Sequence, residues 1–486
     1  MEKRRMQLFA IVLTSIFCIL FAESCSNSRY IERVKVGIPS YAGKKWTPKE
    51  EEKEVISLAP AEIPIDLAAL KGNLTLINLI DLALRYNSYT KAAWYAALGA
   101  SADYSSKKGD YFPYINFDAS IVKAKGTAVG GRFEYEQTSF SPSLSLNMLI
   151  FNFGGREAEI EEASQALIAA NYANNVAIQN VILQVEKAYY NYLYAKALLQ
   201  ASEVNLKNAQ LNYESAEQRL KAGLATIADV LQVKTAVSQA QLSLETVKGQ
   251  IQIVKGSLAN AVGLPANTPY DIEDILPENI EMEKIADKVE MHIQEAFEKR
   301  PDLSQLKAQL LKAEAHIKNI RAKGLPSINA TANVSRTYYK DVDVPGNNYS
   351  ASLLIRIPIF TGFSQTYDEV KAKADADVIR EQLRLKMQEI TLQVWTSYYN
   401  FKTAEQKILA SKDLLRSAEE NYKIALERYK AGVGSILDLL SAQNALENAL
   451  TQDVRARTDW FFSLAQLAYD TGSLEVNLGK DESIVK

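Results

Sequence analysis

Residues able to do chemistry are sparse in this 486-residue chain. It has two histidines, His292 and His316, and two cysteines, Cys18 and Cys25. Imidazoles and thiolates supply most metal ligands and many nucleophiles. The two histidines are far apart and lack ligand partners at usable spacing, and both cysteines sit near the N-terminus. No disulfide framework, thiolate metal site or Gly-x-Ser-x-Gly elbow is therefore open to the body of the chain. The expectation is no enzyme, no metal and no cofactor. The notable carboxylates are Asp229 and Asp438, each closing a near-copy of one string. The first runs from Tyr213 to Asp229 (YESAEQRLKAGLATIAD), the second from Tyr422 to Asp438 (YKIALERYKAGVGSILD). Each has an arginine (Arg219, Arg428), then Lys-Ala-Gly ending at Gly223 or Gly432. Apolar residues follow, Leu224 and Ile227 in one copy, Val433 and Ile436 in the other. A glycine at such a place allows the left-handed close of a helix. An acidic residue in the next first turn suits the helix dipole. Each string reads as a sharp reversal between two long helices. Apolar side chains at an exposed tip predict a covering partner; packing against neighbouring helices is the alternative.

The elements that hold these reversals can be read on either side of them. No proline occurs between Arg156 and Pro265, and Ala, Glu, Gln and Leu abound. Such residues favour one helix over 155–222, about 100 Å long at 1.5 Å per residue. Ile178, Ile182, Val185, Tyr189 and Tyr192 trace the 4-3-4-3 seam of a coiled coil. A return helix over 224–262 is stopped by Gly263-Leu264-Pro265. The plan recurs 209 residues on: Tyr189-Tyr190-Asn191 matches Tyr398-Tyr399-Asn400, Gly223 matches Gly432, and Gly263 matches Gly472. That register predicts a second long helix over 363–431 and a return over 433–471, hence two tandem repeats, 71–270 and 271–475.

Each repeat opens with a helix followed by alternation. Ile115, Phe117, Ala119 and Ile121 alternate with Asn116, Asp118 and Ser120. Leu144, Leu146, Met148 and Ile150 do the same, as do Leu353, Ile355, Ile357 and Ile359. Strands are expected at about 113–122, 142–151, 326–335 and 351–360, the first pair joined by a loop holding Gly126, Gly130 and Gly131. Roughly nine alternating positions with aromatic ends are what a tilted strand needs to cross a bilayer. Four strands cannot close a barrel, and open edges are not tolerated in lipid. The chain must share its strands: three copies give about twelve, enough for a water-filled lumen. The expected fold class is an α+β membrane protein, a trimeric 12-stranded β-barrel with four strands per chain, continued by a long α-helical barrel.

The N-terminus has Lys3, Arg4 and Arg5 before an apolar run from Met6 to Ala22, the form of a secretory signal over 1–24. Ser24-Cys25 resembles a bacterial lipoprotein signal, in which Cys25 carries the lipid; a plain cleaved signal is the alternative. Residues 25–70 read as an arm or linker and 476–486 as a tail. The net charge of −3 marks no field for nucleic acid.

The chain resembles the bacterial outer-membrane efflux protein family, the TolC-type channels. The residues that carry the resemblance are Leu74-Thr75-Leu76, Phe112-Pro113, Leu325-Pro326, Leu149 to Arg156, Pro358 to Gly362, and both reversals. The family implies a homotrimer in the outer membrane with its helical barrel in the periplasm. It also implies a periplasmic adaptor (membrane fusion) protein docking at the tip turns and an inner-membrane pump or type I secretion transporter. In that picture Asp229, Asp438 and Tyr429 are gate residues at the tip. Where some members place an arginine beside the tyrosine, this chain has Gly434, and Ser441 stands where some have a further carboxylate. The competing reading is a coiled-coil envelope lipoprotein that bridges the periplasm without a pore.

Overall fold

The computed structural model describes residues 74–128, 130–272, 275–277, 288–340 and 342–474. The expected signal, the arm with Cys25, and the tail lie outside them. The elements in order are α1 (Leu76–Tyr86), α2 (Ser88–Lys108), β1 (Tyr114–Ala128), β2 (Phe133–Phe151), α3 (Gly155–Lys221) and α4 (Ile227–Val262). Then come α5 (Val289–Lys299), α6 (Pro301–Lys323), β3 (Ser327–Tyr339), β4 (Val342–Arg356), α7 (Ser364–Lys430) and α8 (Ile436–Thr471). The two longest helices have 67 residues each, and the helices returning from them have 36 each.

Local chemistry explains the boundaries. Thr75 caps α1 by accepting from the Asn78 amide, and Asn87 caps α2 by accepting from the Tyr89 amide. The step from β2 into α3 is built by Asn152-Phe153-Gly154-Gly155-Arg156. Gly154 is left-handed at φ +85°, and the Asn152 side chain accepts from the Arg156 amide at 3.1 Å. Arg156 then reaches back, donating to the Leu149 carbonyl at 2.9 Å and stacking 4.0 Å from the Tyr111 ring centroid. A side chain at position 155 would collide with Asn152, since its Cβ would fall 2.6 Å from Nδ2. The sheet is thereby strapped to the helix that leaves it.

The four strands form one antiparallel sheet in the order β1-β2-β3-β4. Register places Ile115 and Phe117 opposite Leu146 and Leu144, and Leu144 opposite Val334. Val334 in turn faces Tyr349. All of these therefore share one face, as a period of two requires. The other face carries the row Asp118, Ser143, Ser335 and Asn348, and the row Asn116, Ser145, Asn333 and Ser350. The strands are longer than alternation predicts. β1 runs on to Ala128, β2 starts at Phe133 rather than near 142, and β3 ends at Tyr339. Beyond the apolar belt the alternation changes sides: Phe133 and Tyr135, opposite Ala128 and Gly126, lie on the face that is polar in the belt, and Lys123, Lys125 and Glu136 take the other, so pairing continues where the belt's pattern has stopped. Gly126 belongs to β1 and not to the loop. It lies opposite Tyr135, whose ring would stand 3.0–3.1 Å from any Cβ there. β4 covers Val342–Arg356 rather than 351–360. It ends before Pro358, which has no N–H to give the ladder.

The return helices begin at Ile227 and Ile436, three residues later than predicted, because Thr226 and Ser435 are their caps. Small buried residues along α3 (Ala163, Ala169, Ala177, Ala209, Ala216) let neighbouring helices approach closely. Nearer the middle of the long helices, Phe401, Ile408 and Trp460 form a core with Tyr398 and Val289 of α5. Both histidines are paired with carboxylates, His316 with Glu162 at 3.0 Å and His292 with Glu295 at 3.8 Å. Among the described residues no helix is long and apolar enough to cross a membrane, and no cluster could hold a metal ion.

Candidate functional site

The two reversals are built alike. At the end of α3 the Leu224 amide donates to the Arg219 carbonyl at 2.8 Å and the Gly223 amide to the Leu220 carbonyl at 3.0 Å. At the end of α7 the Val433 amide donates to the Arg428 carbonyl, and the Gly432 amide to the Tyr429 carbonyl, both at 3.1 Å. This is the paired closure of a Schellman motif, and it needs a left-handed residue. Gly223 and Gly432 supply it at φ +75° and +82°.

Each reversal then opens into a capping box. The Asp229 carboxylate accepts from the Thr226 amide at 2.8 Å and from its hydroxyl at 2.9 Å, while the Asp229 amide donates to the Thr226 hydroxyl at 3.3 Å. Ser435 and Asp438 repeat the box, at 3.3 Å and 3.1 Å. Both carboxylates are thus tied to the first turns of α4 and α8, where the helix dipole also favours them.

The apolar tip residues divide into two kinds. Leu224, Ile227 and Val433 are 68%, 62% and 70% exposed. Ile436 is not exposed as the sequence led us to expect: it is buried with Ala216, Val230, Val233, Tyr429 and Leu439. The cause is lateral packing, since this cluster joins the α3–α4 and α7–α8 hairpins. Its counterpart Ile227 has no such neighbour. The Arg428 side chain is exposed and Gly434 is half-buried. A Cβ at Gly434 would sit 3.1 Å from Arg428 and Tyr429 backbone atoms, so its smallness keeps the turn tight.

Tyr429 is almost wholly buried, and its hydroxyl has no hydrogen-bond partner. Burial raises its phenol pKa, the Arg219 charge opposes the rise, and the Asp229 charge adds to it. Arg219 stacks on its ring at 4.6 Å from the centroid. Farther from the tip a buried polar seam joins the hairpins. Asn212 donates to Gln443 at 2.7 Å, Gln443 donates to Asn205 at 3.2 Å, and Tyr422 donates to Asn212 at 3.4 Å. Sequence reading missed both features. Asn205 and Asn212 stand seven residues apart, one heptad on a helix face, and that spacing is the signal that could have revealed the seam.

Chemically, the reversals can present carboxylates and apolar side chains at the far end of about 100 Å of helix. Among the described residues no cluster could hold a metal ion. Comparison with known proteins gives this arrangement a family. The model described as "Outer membrane efflux protein" matches residues 79–264 and 292–473, well over half the chain. Protein CyaE of Bordetella pertussis is 26% identical over 381 residues, covering 76% of this chain and 78% of that protein. The probable efflux pump outer membrane protein TtgC of Pseudomonas putida is 25% identical over 361 residues, 72% of each. Among solved structures, the outer-membrane channel OprN superposes with a TM-score of 0.75 at 18% identity, covering 82% of this chain and 89% of that one. The family is one of outer-membrane channels rather than enzymes. The chain belongs to the outer membrane efflux protein family, and its work is efflux at the outer membrane.

Proposed function

We propose that this chain is the outer-membrane exit channel of a tripartite efflux or type I secretion system. Three copies, each made of two tandem repeats, share a 12-stranded barrel, and their long helices continue it as a hollow periplasmic cylinder. The observation that carries this reading is the sheet. One face exposes Ile121, Phe117, Val334, Leu353 and Tyr349, which are 76%, 62%, 61%, 64% and 88% open. The opposite face is lined mainly by serine, asparagine and threonine. An apolar face of this extent suits lipid, and a neutral hydrophilic face suits a wet lumen. β1 and β4 each have one unpaired edge within the chain, and lipid requires both to be closed by neighbouring copies. A pore-free envelope bridge leaves that face and those edges without a role.

Conduction is passive, with energy supplied by an inner-membrane pump through a periplasmic adaptor. Asp229 and Asp438, once in each copy, bring like charges together at the tip and favour cations there. Tyr429 belongs to the same gate. The adaptor docks on the turns at Gly223 and Gly432, over Leu224, Ile227 and Val433, with Arg428 at its rim. Cys25, outside the described residues, carries a lipid anchor in this reading. Two measurements test it. Purified full-length protein added to planar bilayers gives discrete conductance steps; a silent bilayer at concentrations where known porins insert refutes the channel. Gly223→Trp or Gly432→Trp abolishes export in cells while assembly persists. Unchanged export refutes docking at the turns.

A further inference from the structure

Resting on the reading of the tip as the gate, we infer that Arg219 is the positioning residue that clasps the two tip turns of each chain together. It does so through the ring face and backbone carbonyl of Tyr429. Arg219 lies in the last turn of α3, yet its guanidinium sits over a residue of α7, 4.6 Å from the ring centroid. Nη1 donates to the Tyr429 carbonyl. Nη2 donates to the Leu224 carbonyl of its own turn at 3.4 Å. One side chain therefore touches both reversals. The Tyr429 carbonyl it grips also accepts from the Gly432 amide at 3.1 Å, so the clasp seizes an oxygen that closes the second turn. Gly432 has only Arg219 within 4 Å of a would-be Cβ, with Nη2 at 3.8 Å.

The clasp is one-sided. The repeat mate of Arg219 is Arg428, which is exposed, and the mate of Tyr429 is Leu220, which has no ring to stack on. At the turns the first half of the chain holds the second through Arg219, and its mate Arg428 is exposed instead. The tyrosine hydroxyl takes no part: it is buried and bonds nothing, as is Arg219 Nε. A planar guanidinium suits this role, because it stacks on an aromatic face while its fork donates to carbonyls; an ammonium does not. Separation of the two turns, the movement that widens the tip, requires Arg219 to leave Tyr429.

The test uses the full-length protein carrying Arg219→Gln, Arg219→Lys, Tyr429→Leu or Tyr429→Phe, with assembly checked by size. Hydrogen exchange of the second turn, residues 428–434, reads the clasp itself, and single-channel conductance reads the gate. Arg219→Gln is expected to speed exchange of the second turn by roughly tenfold, the loss of a partly buried cation–π contact together with the hydrogen bond to the Tyr429 carbonyl. Tyr429→Leu, which loses the stacking and keeps the carbonyl, speeds it roughly threefold, and Arg219→Lys falls between the parent and Arg219→Gln. Conductance rises in the same order. Tyr429→Phe, which keeps the ring face, leaves exchange of the second turn at the parental level. Parental exchange in Arg219→Gln and Tyr429→Leu overturns the clasp. So does a Tyr429→Phe effect as large as that of Arg219→Gln, because it would place the grip on the hydroxyl. Faster exchange with unchanged conductance keeps the contact but overturns its role in the gate, and with it the reading of the tip as the constriction.

Discussion

Asp229 has two duties in this account, and substitution can separate them. Its carboxylate closes the capping box of α4 through the Thr226 amide and hydroxyl at 2.8 and 2.9 Å, and its charge faces the tip. Asp229→Ala removes both. Loss of a capping acceptor costs about 1 kcal/mol, and loss of an anion from a first helical turn costs about 0.3–1 kcal/mol more. The sum speeds local opening roughly 9- to 30-fold. Asp229→Asn keeps an oxygen that can accept from Thr226 and loses only the charge. Its opening should quicken roughly two- to fivefold, the dipole contribution alone. Hydrogen exchange read by mass spectrometry on a peptide spanning 224–234 measures both. Reversal potentials in a salt gradient measure the charge, and there the two variants should lose cation preference equally. If Asp229→Ala exchanges like the parent, the box contributes nothing and the reasoning fails. If Asp229→Asn frays as fast as Asp229→Ala, the carboxylate acts by charge alone. Equal cation preference in parent and variants removes Asp229 from the gate.

Further outcomes follow from other parts of the fold. Gly263 ends α4 at φ +90°, and an added Cβ would lie 2.8 Å from the Asn87 Cα, so Gly263→Ala should cost about 2 kcal/mol or more, read as a lowered Tm. A melt within a degree of the parent refutes the close approach. Burial pushes the Glu186 carboxyl up to about 7 from an ordinary value of 4.5. A raised carboxyl favours the folded chain in acid. Between pH 4.5 and 7 the unfolded chain loses its proton first, so stability falls across that window and is level above it. Partial hydration limits the change to about 1–3 kcal/mol. Glu186→Gln should flatten the dependence of Tm on pH there, and an unchanged slope contradicts the assignment.

Much of this was legible in the chain because its signals are local. Proline-free stretches of strong helix formers gave the long helices, and Gly223, Gly432, Gly263 and Gly472 marked their ends. The strand cores were visible because Ile115, Phe117, Leu144 and Leu146 alternate with polar residues. The outer parts of β1 and β2 were not, because the apolar residues Phe133 and Tyr135 change to the opposite face there and the pairing is set by the partner strand. The same limit explains Ile436 and Tyr429. In sequence they look like the exposed Ile227 and the half-buried Leu220, and only the lateral meeting of the two hairpins buries them. Arg219 reached Tyr429 across 210 positions, a separation that no local pattern encodes. The gate candidates were named from the family resemblance, and the contact that joins the turns was not legible at all.

The central claim is that the strands of three chains close one barrel, with β1 of each copy against β4 of the next. Cysteine pairing across that seam tests it most directly. Ser120→Cys in β1 is combined in turn with Asn348→Cys, Ser350→Cys or Ser352→Cys in β4, all on the polar face, and the protein is oxidised in intact membranes. One combination should yield a closed covalent trimer, resistant to denaturant and restored to single chains by reductant. Monomers in every combination, or an open-ended ladder beyond the trimer, would contradict the shared barrel.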